Sequence, residues 1–219
     1  MGKFDAVWIY FIRTLKYLPG IVLGLTVHEY CHAVVAHWCG DDTSKEQGRV
    51  TLNPLKHIDP YGFIMLIVAG FGWAKPVQFN EQNLKNPRID VMKIALAGPL
   101  SNALTAMVLS VILALTIHPF ATAYSNVLAV SYEILFYAIY INWGLFVFNL
   151  IPLPPLDGSH LVFYPLKRFP AIYNSVYYWG SLILFGIIIF SIISKTNFLP
   201  IGNIIEFLGK GFLHLIGYR

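Results

Sequence analysis

The run His28-Glu29-Tyr30-Cys31-His32 places two imidazoles four residues apart with a carboxylate between them. On a helix, positions i and i+4 lie on one face, one turn apart. Two imidazoles so placed can bind one Zn²⁺, and the carboxylate beside them can act as general base toward a water held there. Glu29 directly follows His28 and therefore points about 100° away around the helix. That direction suits a group touching water better than one binding the metal. The run sits inside an apolar stretch, Ile21 to Trp38. Two His and a Glu are costly there unless paired, so an ionisable cluster at this depth reads as functional.

A catalytic zinc takes three protein ligands and keeps a fourth position open. The best candidate for the third ligand is Asp157, within Asn149-Leu150-Ile151-Pro152-Leu153-Pro154-Pro155-Leu156-Asp157-Gly158. The prolines stop any helix. Backbone left unpaired at membrane depth must line a cavity or be buried in protein. Taken alone, this segment also fits a simple turn with a solvated Asp; beside the H-E-x-x-H run, the ligand reading is preferred.

Composition says what must position these groups. Of 219 residues, 57% are hydrophobic and 12% charged, against about 45–50% and about 25% in soluble domains. So few charges cannot cover a soluble globule, and so many apolar residues exclude disorder. Two Cys exclude a disulfide scaffold, and Cys31 and Cys39 read as small packed side chains. The net charge is +4, but the basic residues form no dense patch, which argues against nucleic acid as a partner. The N-terminus lacks the pattern of a removable signal: Asp5 follows Lys3, and Arg13 and Lys16 interrupt the apolar run. The expected class is an all-α polytopic transmembrane helix bundle with the lipid bilayer as its surroundings.

Along the chain, residues 4–18 read as an interfacial helix or a short first span, with Pro19-Gly20 as punctuation. Residues 21–38 form the His-bearing span. Residues 94–117, 127–150 and 177–193 are three further spans, and 198–219 form an amphipathic tail. Residues 61–71 are apolar but too short to cross, and read as a buried or re-entrant piece. A small β element is expected where 49–52 pairs with the run 73–79. Small residues recur at i+4 spacing on two spans: Gly20, Gly24 and Ala36 in line with the two His, and Gly98, Asn102, Ala106, Ser110 and Ala114. These rows are expected to pack the two helices on each other. Lys45, Arg49, Lys56, Lys75, Lys85, Arg88 and Lys93 cluster between spans, and no Lys or Arg occurs from 94 to 166. The positive-inside bias then puts 40–93 and 157–171 in the cytoplasm, the loop near 118–126 outside, and the histidines toward the cytoplasmic side of the cell (inner) membrane.

The two motifs together, H-E-x-x-H at 28–32 and N-x-x-P-x-P-x-x-D-G at 149–158, resemble the site-2 protease family of intramembrane zinc metalloproteases. So do Gly48-Arg49-Val50-Thr51-Leu52-Asn53-Pro54, His57-Ile58-Asp59-Pro60-Tyr61-Gly62, Gly72-Trp73-Ala74-Lys75-Pro76-Val77 and Ala97-Gly98-Pro99-Leu100-Ser101-Asn102. The resemblance covers roughly residues 20–165. It implies one Zn²⁺ per chain held by His28, His32 and Asp157, with Glu29 activating the water. It implies that Asn149 lies near the reacting carbonyl and orients substrate or oxyanion. The substrate would be the transmembrane segment of another membrane protein, cut in regulated intramembrane proteolysis. Residues 1–219 read as one metalloprotease domain, with a catalytic core at about 20–165 and a C-terminal span and amphipathic tail at 172–219. By this resemblance the chain reads as the minimal form, without PDZ or CBS domains.

The rival reading is a catalytically silent membrane protein that binds metal or recruits clients with the same residues; a general base at Glu29 favours the enzyme. A metal transporter would need ionisable groups along a path, and 94–132 holds none but His118. A prenyl-processing type of membrane zinc protease would not explain the 149–158 segment. Glu133, His57 and His160 stay open between structural and site roles. His37, His118 and His214 read as ordinary, and Trp8, Tyr10, Tyr173, Tyr177, Tyr178 and Trp179 as interfacial aromatics.

Overall fold

Lys3–Trp38 form one continuous helix, α1, in the computed structural model, which describes residues 3–69, 72–116, 126–194 and 201–217. The expected break at Pro19-Gly20 does not occur, and residues 4–18 are not a separate element. Pro19 lies inside the helix, where membrane helices tolerate proline because neighbouring groups satisfy the freed backbone. Gly20 is a packing position: a Cβ there would lie 2.6 Å from Ala138 Cα. The N-terminal half of α1 is pinned further by a Lys16–Glu133 ion pair and by Tyr17 against Tyr137, ring centroids 4.3 Å apart.

The remaining elements follow in order: α2 (Thr43–Glu46), a 3-10 turn at Pro54–Lys56, α3 (Pro60–Ala69), a second turn at Glu81–Asn83, and α4 (Pro87–Thr116). Then come α5 (Asn126–Asn149), α6 (Gly158–Phe163), a 3-10 stretch at Tyr164–Arg168, α7 (Pro170–Ser194) and α8 (Ile201–Leu215). Four of these helices are long and apolar enough to cross a membrane, within Phe11–Trp38, Pro87–Thr116, Val127–Asn149 and Pro170–Ser191. Two begin earlier than the apolar runs suggest. Pro87 is at home in a first turn, and Asp90 Oδ2 accepts from the Asn86 N–H at 2.7 Å, so α4 starts well before Ile94.

Helices α1, α4 and α5 pack on one another, and α8 lies along α5. The core between α4, α5 and α8 holds Ala106, Leu113, Ile139, Trp143 and Leu213. The expected small-residue seam between α1 and α4 is only partly present. Gly20 faces α5, and a Cβ on Gly24 would press on Leu145 and Asn142 of α5, while the Gly24 carbonyl accepts from Asn102 of α4 at 3.0 Å. Gly98 of α4 does face α1.

The β element is corrected. Among the described residues there is no strand, and a single antiparallel bridge joins Ile58 to Ala74. The reason lies in what Arg49 does. Its buried guanidinium donates to the carbonyls of Lys56 and Lys75, and Ser44 Oγ donates to the Gln78 carbonyl at 2.5 Å. Side chains thus occupy acceptors that a paired strand would use. Residues 61–69 of the apolar run belong to α3, a ten-residue helix whose start is held by Asp59 Oδ1 accepting from the Tyr61 and Gly62 N–H groups at 3.0 and 2.8 Å. At about 1.5 Å per residue it is too short to cross. Gly70, His118 and the loop at 118–125 lie outside the described residues.

Candidate metal centre

One turn of α1 carries both imidazoles, and α4 dictates how they face. His28 Nδ1 meets Asn102 Oδ1 at 2.7 Å and His32 Nδ1 meets the Ile94 carbonyl at 2.6 Å. Both partners only accept, because the Asn102 amide nitrogen is committed to the Gly24 carbonyl and to Asn142 Oδ1, each at 3.0 Å. Each Nδ1 therefore carries the proton, and each Nε2 presents a lone pair. The two Nε2 atoms lie 3.0 Å apart.

Asp157 completes the group. Its Oδ2 lies 3.1 Å from His28 Nε2 and 3.4 Å from His32 Nε2, and it is a buried oxygen with no hydrogen-bond partner. Two lone pairs and a carboxylate oxygen turned on one point repel each other unless a cation sits among them. In a tetrahedral zinc site with bonds of about 2.0–2.2 Å, ligand atoms stand roughly 3.3–3.5 Å apart, close to the spacings here. The three side chains thus fit a divalent metal.

The chain reaches Asp157 through the proline-rich turn that ends α5. The fold-back is tight: a Cβ on Gly158 would lie 2.6 Å from the Leu150 carbonyl carbon. The opposite wall is equally close. A Cβ on Gly98 would stand 2.6 Å from His28 Nε2 and closer still to His32 Nε2, so any side chain there intrudes on the metal position.

Glu29 is buried beside this group, and its Oε2 accepts from the Val77 backbone N–H at 2.9 Å. A cavity of about 250 Å³ brings His28, Glu29, His32, Asn149 and Asp157 together with Val77 and His160. All five site residues named from sequence thus line one space. Asn149 currently turns its amide back to the Leu145 carbonyl at 3.0 Å. The arrangement joins a metal-binding trio, a buried carboxylate and an amide at the edge of a partly open cavity. That is the equipment for hydrolysis by an activated water.

The open residues separate. His160 lines the cavity, with Nδ1 3.3 Å from the Tyr177 hydroxyl, and burial pushes its imidazole below the ordinary value. His57 does not line it. It is fully buried, donates from Nε2 to the Thr51 carbonyl at 2.7 Å, and is pushed down by burial, with Arg49 adding to the effect. Glu133 serves the Lys16 pair. His37 pairs with Asp42, and His214 is exposed on α8. Tyr177 belongs less to an interfacial belt than to the His160 support, with Ser159 Oγ at 3.2 Å from its hydroxyl.

Two supporting residues escape the motif reading, and a third, Arg49, stands in a quoted motif without an assigned role. Asn142, fully buried, anchors Asn102 and so stands behind His28. An Asn within an apolar span was the available signal. Arg49, buried with its guanidinium lowered by desolvation and opposed by the field of Glu29, ties the 49–57 loop to the Val77 segment. Asp41 accepts from Thr43 Oγ1 at 2.6 Å and from Asn80 N and Asn83 Nδ2, both at 2.8 Å. Nothing in its sequence neighbourhood marks that role.

Comparison with known proteins points the same way. The sequence profile described as peptidase family M50 matches residues 17–130 and 117–191. A stretch of 144 residues is 43% identical to a Bacillus subtilis protein named "Putative zinc metalloprotease YwhC", covering 65% of each chain. A stretch of 159 residues is 31% identical to a Mycolicibacterium smegmatis protein named "Putative zinc metalloprotease Rip2", covering 67% of this chain and 58% of that one. The Mycobacterium tuberculosis protein of that name is 29% identical over 147 residues, covering 64% and 53%. The matched stretch spans less than two thirds of each relative's length. No solved structure matches.

Proposed function

Since the chain belongs to peptidase family M50, we propose that this multi-pass membrane protein is a zinc endopeptidase that hydrolyses peptide bonds in transmembrane segments of other proteins. The observation that carries this reading is the convergence of His28, His32 and Asp157 beside the buried Glu29 in one cavity. His28, His32 and Asp157 would hold one Zn²⁺. When bound, zinc polarises a carbonyl and lowers the pKa of water.

The chain's own residues do the rest. Glu29 takes the proton from the attacking water and returns it to the leaving amine. Asn149, released from the Leu145 carbonyl, donates its amide to the oxygen of the bond being cut. A substrate helix hides its carbonyls in its own hydrogen bonds, so it unwinds locally first. In the 72–79 segment the backbone of Lys75, Val77 and Gln78 is already held by His57, Arg49, Glu29 and Ser44, so strand addition to that unwound stretch falls to the backbone at Ala74. The seven Lys and Arg between 45 and 93, and their absence from 94 to 166, support an orientation with the centre toward the cytoplasmic face of the cell membrane.

The deciding experiment co-expresses the protein with candidate single-span proteins, wild type beside Glu29→Gln, and identifies fragments by mass spectrometry. Fragments with wild type and none with Glu29→Gln are expected. Fragments from both would end the Glu29 assignment. No cut protein despite a full complement of zinc would favour a silent metal-binding or client-recruiting role. For orientation, single cysteines at positions 45 and 122, in a background lacking Cys31 and Cys39, are labelled from each side. Labelling of position 122 from the cytoplasm would reverse the topology.

A further inference from the structure

A second and larger cavity, of about 690 Å³, adjoins the candidate metal centre. Its walls come from α1, α3, α5, α7 and α8, with Ile58 and, from the 72–79 segment, Gly72 and Trp73. Among the described residues, no charged side chain lines it. It shares three walls with the catalytic cavity. Leu25 lines this one and Glu29 the other, four residues apart on the same face of α1. Phe148 and Asn149 are consecutive at the end of α5, and Trp73 and Val77 belong to one segment.

Glycine makes the room. Gly144 of α5 and Gly202 of α8 both line the space. A Cβ on Gly202 would meet nothing within 4 Å, and one on Gly144 would only touch Ile205 Cδ1 at 3.4 Å. The volume falls within the roughly 300–1,000 Å³ of pockets that bury whole small ligands, so it exceeds what a single methyl-sized group needs.

We propose that this cavity is a specificity subsite that takes a large apolar side chain of the substrate, close to the bond being cut. The proposal rests on the endopeptidase reading above. The two cavities share no lining residue, but α1, α5 and the 72–79 segment wall both, and this adjacency argues for substrate as the occupant. Four residues of α1 advance about 6 Å, and an extended chain advances about 3.3 Å per residue. A substrate strand at Glu29 therefore reaches Leu25 two residues on. Side chains two apart in an extended chain point the same way. The subsite thus reads the residue two positions from the cut on one side, and prefers Leu or Phe there to Ala.

The test uses the full chain, zinc-loaded, in vesicles with a single-span reporter whose cut site has been mapped by mass spectrometry. Leu is replaced by Ala at each of the three positions on either side of the cut, and kcat/KM is measured for each reporter. One position, two residues from the cut, is expected to lose at least about tenfold, the scale of apolar-pocket discrimination. Gly202→Leu, which fills the cavity from α8, should bring the Leu-to-Ala ratio at that position toward one while zinc content stays at the wild-type level. Gly144→Leu, from α5, repeats the test should the first variant fold poorly. Wild-type ratios in folded, cavity-filled protein would overturn the subsite and leave the endopeptidase reading standing, the result expected if lipid occupies the space. A zinc-loaded wild type that cuts no reporter would overturn both.

Discussion

The Glu29 carboxylate accepts a hydrogen bond from the Val77 backbone N–H at 2.9 Å, so the carboxylate of the H-E-x-x-H turn is tethered to the segment proposed to receive substrate. Val77 in turn is braced by Arg49, which donates to the Lys75 carbonyl two residues earlier. This tether keeps a buried carboxylate at one edge of the metal trio and spends one of its lone pairs outside it.

Glu29→Gln is therefore expected to preserve the local structure, because the glutamine oxygen can still accept from Val77. Only the proton acceptor is lost. Turnover should fall by the ~10²–10⁴-fold typical of a removed acid–base group, with zinc content unchanged by elemental analysis. Loss of zinc instead would move Glu29 into the ligand set.

Asp157→Ala should lower zinc content at a fixed free-metal concentration, since it removes one of three converging donors and leaves two lone pairs facing each other. Metal titration against a competing chelator measures this. Wild-type affinity would remove Asp157 from the metal.

Gly98→Ala puts a methyl group at the point where the two Nε2 atoms converge. Overpacking of this kind costs about 1–3 kcal/mol, which a packed bundle survives. Zinc occupancy should nevertheless drop steeply. A Gly98→Ala protein that folds and holds full zinc would show that the metal lies elsewhere.

Asn102→Ala frees His28 Nδ1 and leaves Asn142 Oδ1 without its donor. Loss of such an outer partner typically weakens metal binding by about 10–100-fold. Asn102→Asp, which still accepts from Nδ1, should recover part of that loss. Equal affinities for Asn102→Ala and wild type would reduce the Asn102–Asn142 pair to packing.

His57 gives a pH signature. Burial holds its imidazole below the ordinary 6.5, and its Nδ1 is buried without a partner. The unfolded chain therefore binds a proton that the folded one resists. Stability from this site is full above pH 6.5 and declines as the pH falls through 6.5 toward the depressed folded value. Thermal melting in detergent should show a shallower acid decline for His57→Gln than for wild type. Parallel declines would refute the assignment.

His28, Glu29 and His32 are legible from the chain alone, because an i, i+4 pair lies on one face of one helix and needs no partner to define it. The membrane class and the positions of the later spans are equally legible, since hydropathy is a property of consecutive residues. Helix starts are not: Asp90 lets α4 begin at Pro87, in charged sequence that an apolar count passes over. Pro19 misleads in the opposite sense, because packing of Gly20 on Ala138 carries α1 through it.

Everything that depends on two distant segments meeting was decided by packing. Asp157 stands 129 positions after His28 in the chain, and only the fold-back after α5 brings its carboxylate to the imidazoles. Asn102 and Asn142 set which nitrogen of His28 carries the proton, yet neither lies in a motif with it. Arg49 took the carbonyls on which a β pairing would have depended. Spacing within a helix is local geometry. The tautomer of a ring, the donor set around a metal and the size of a cavity are sums over neighbours from several helices, and no single stretch of sequence contains those neighbours.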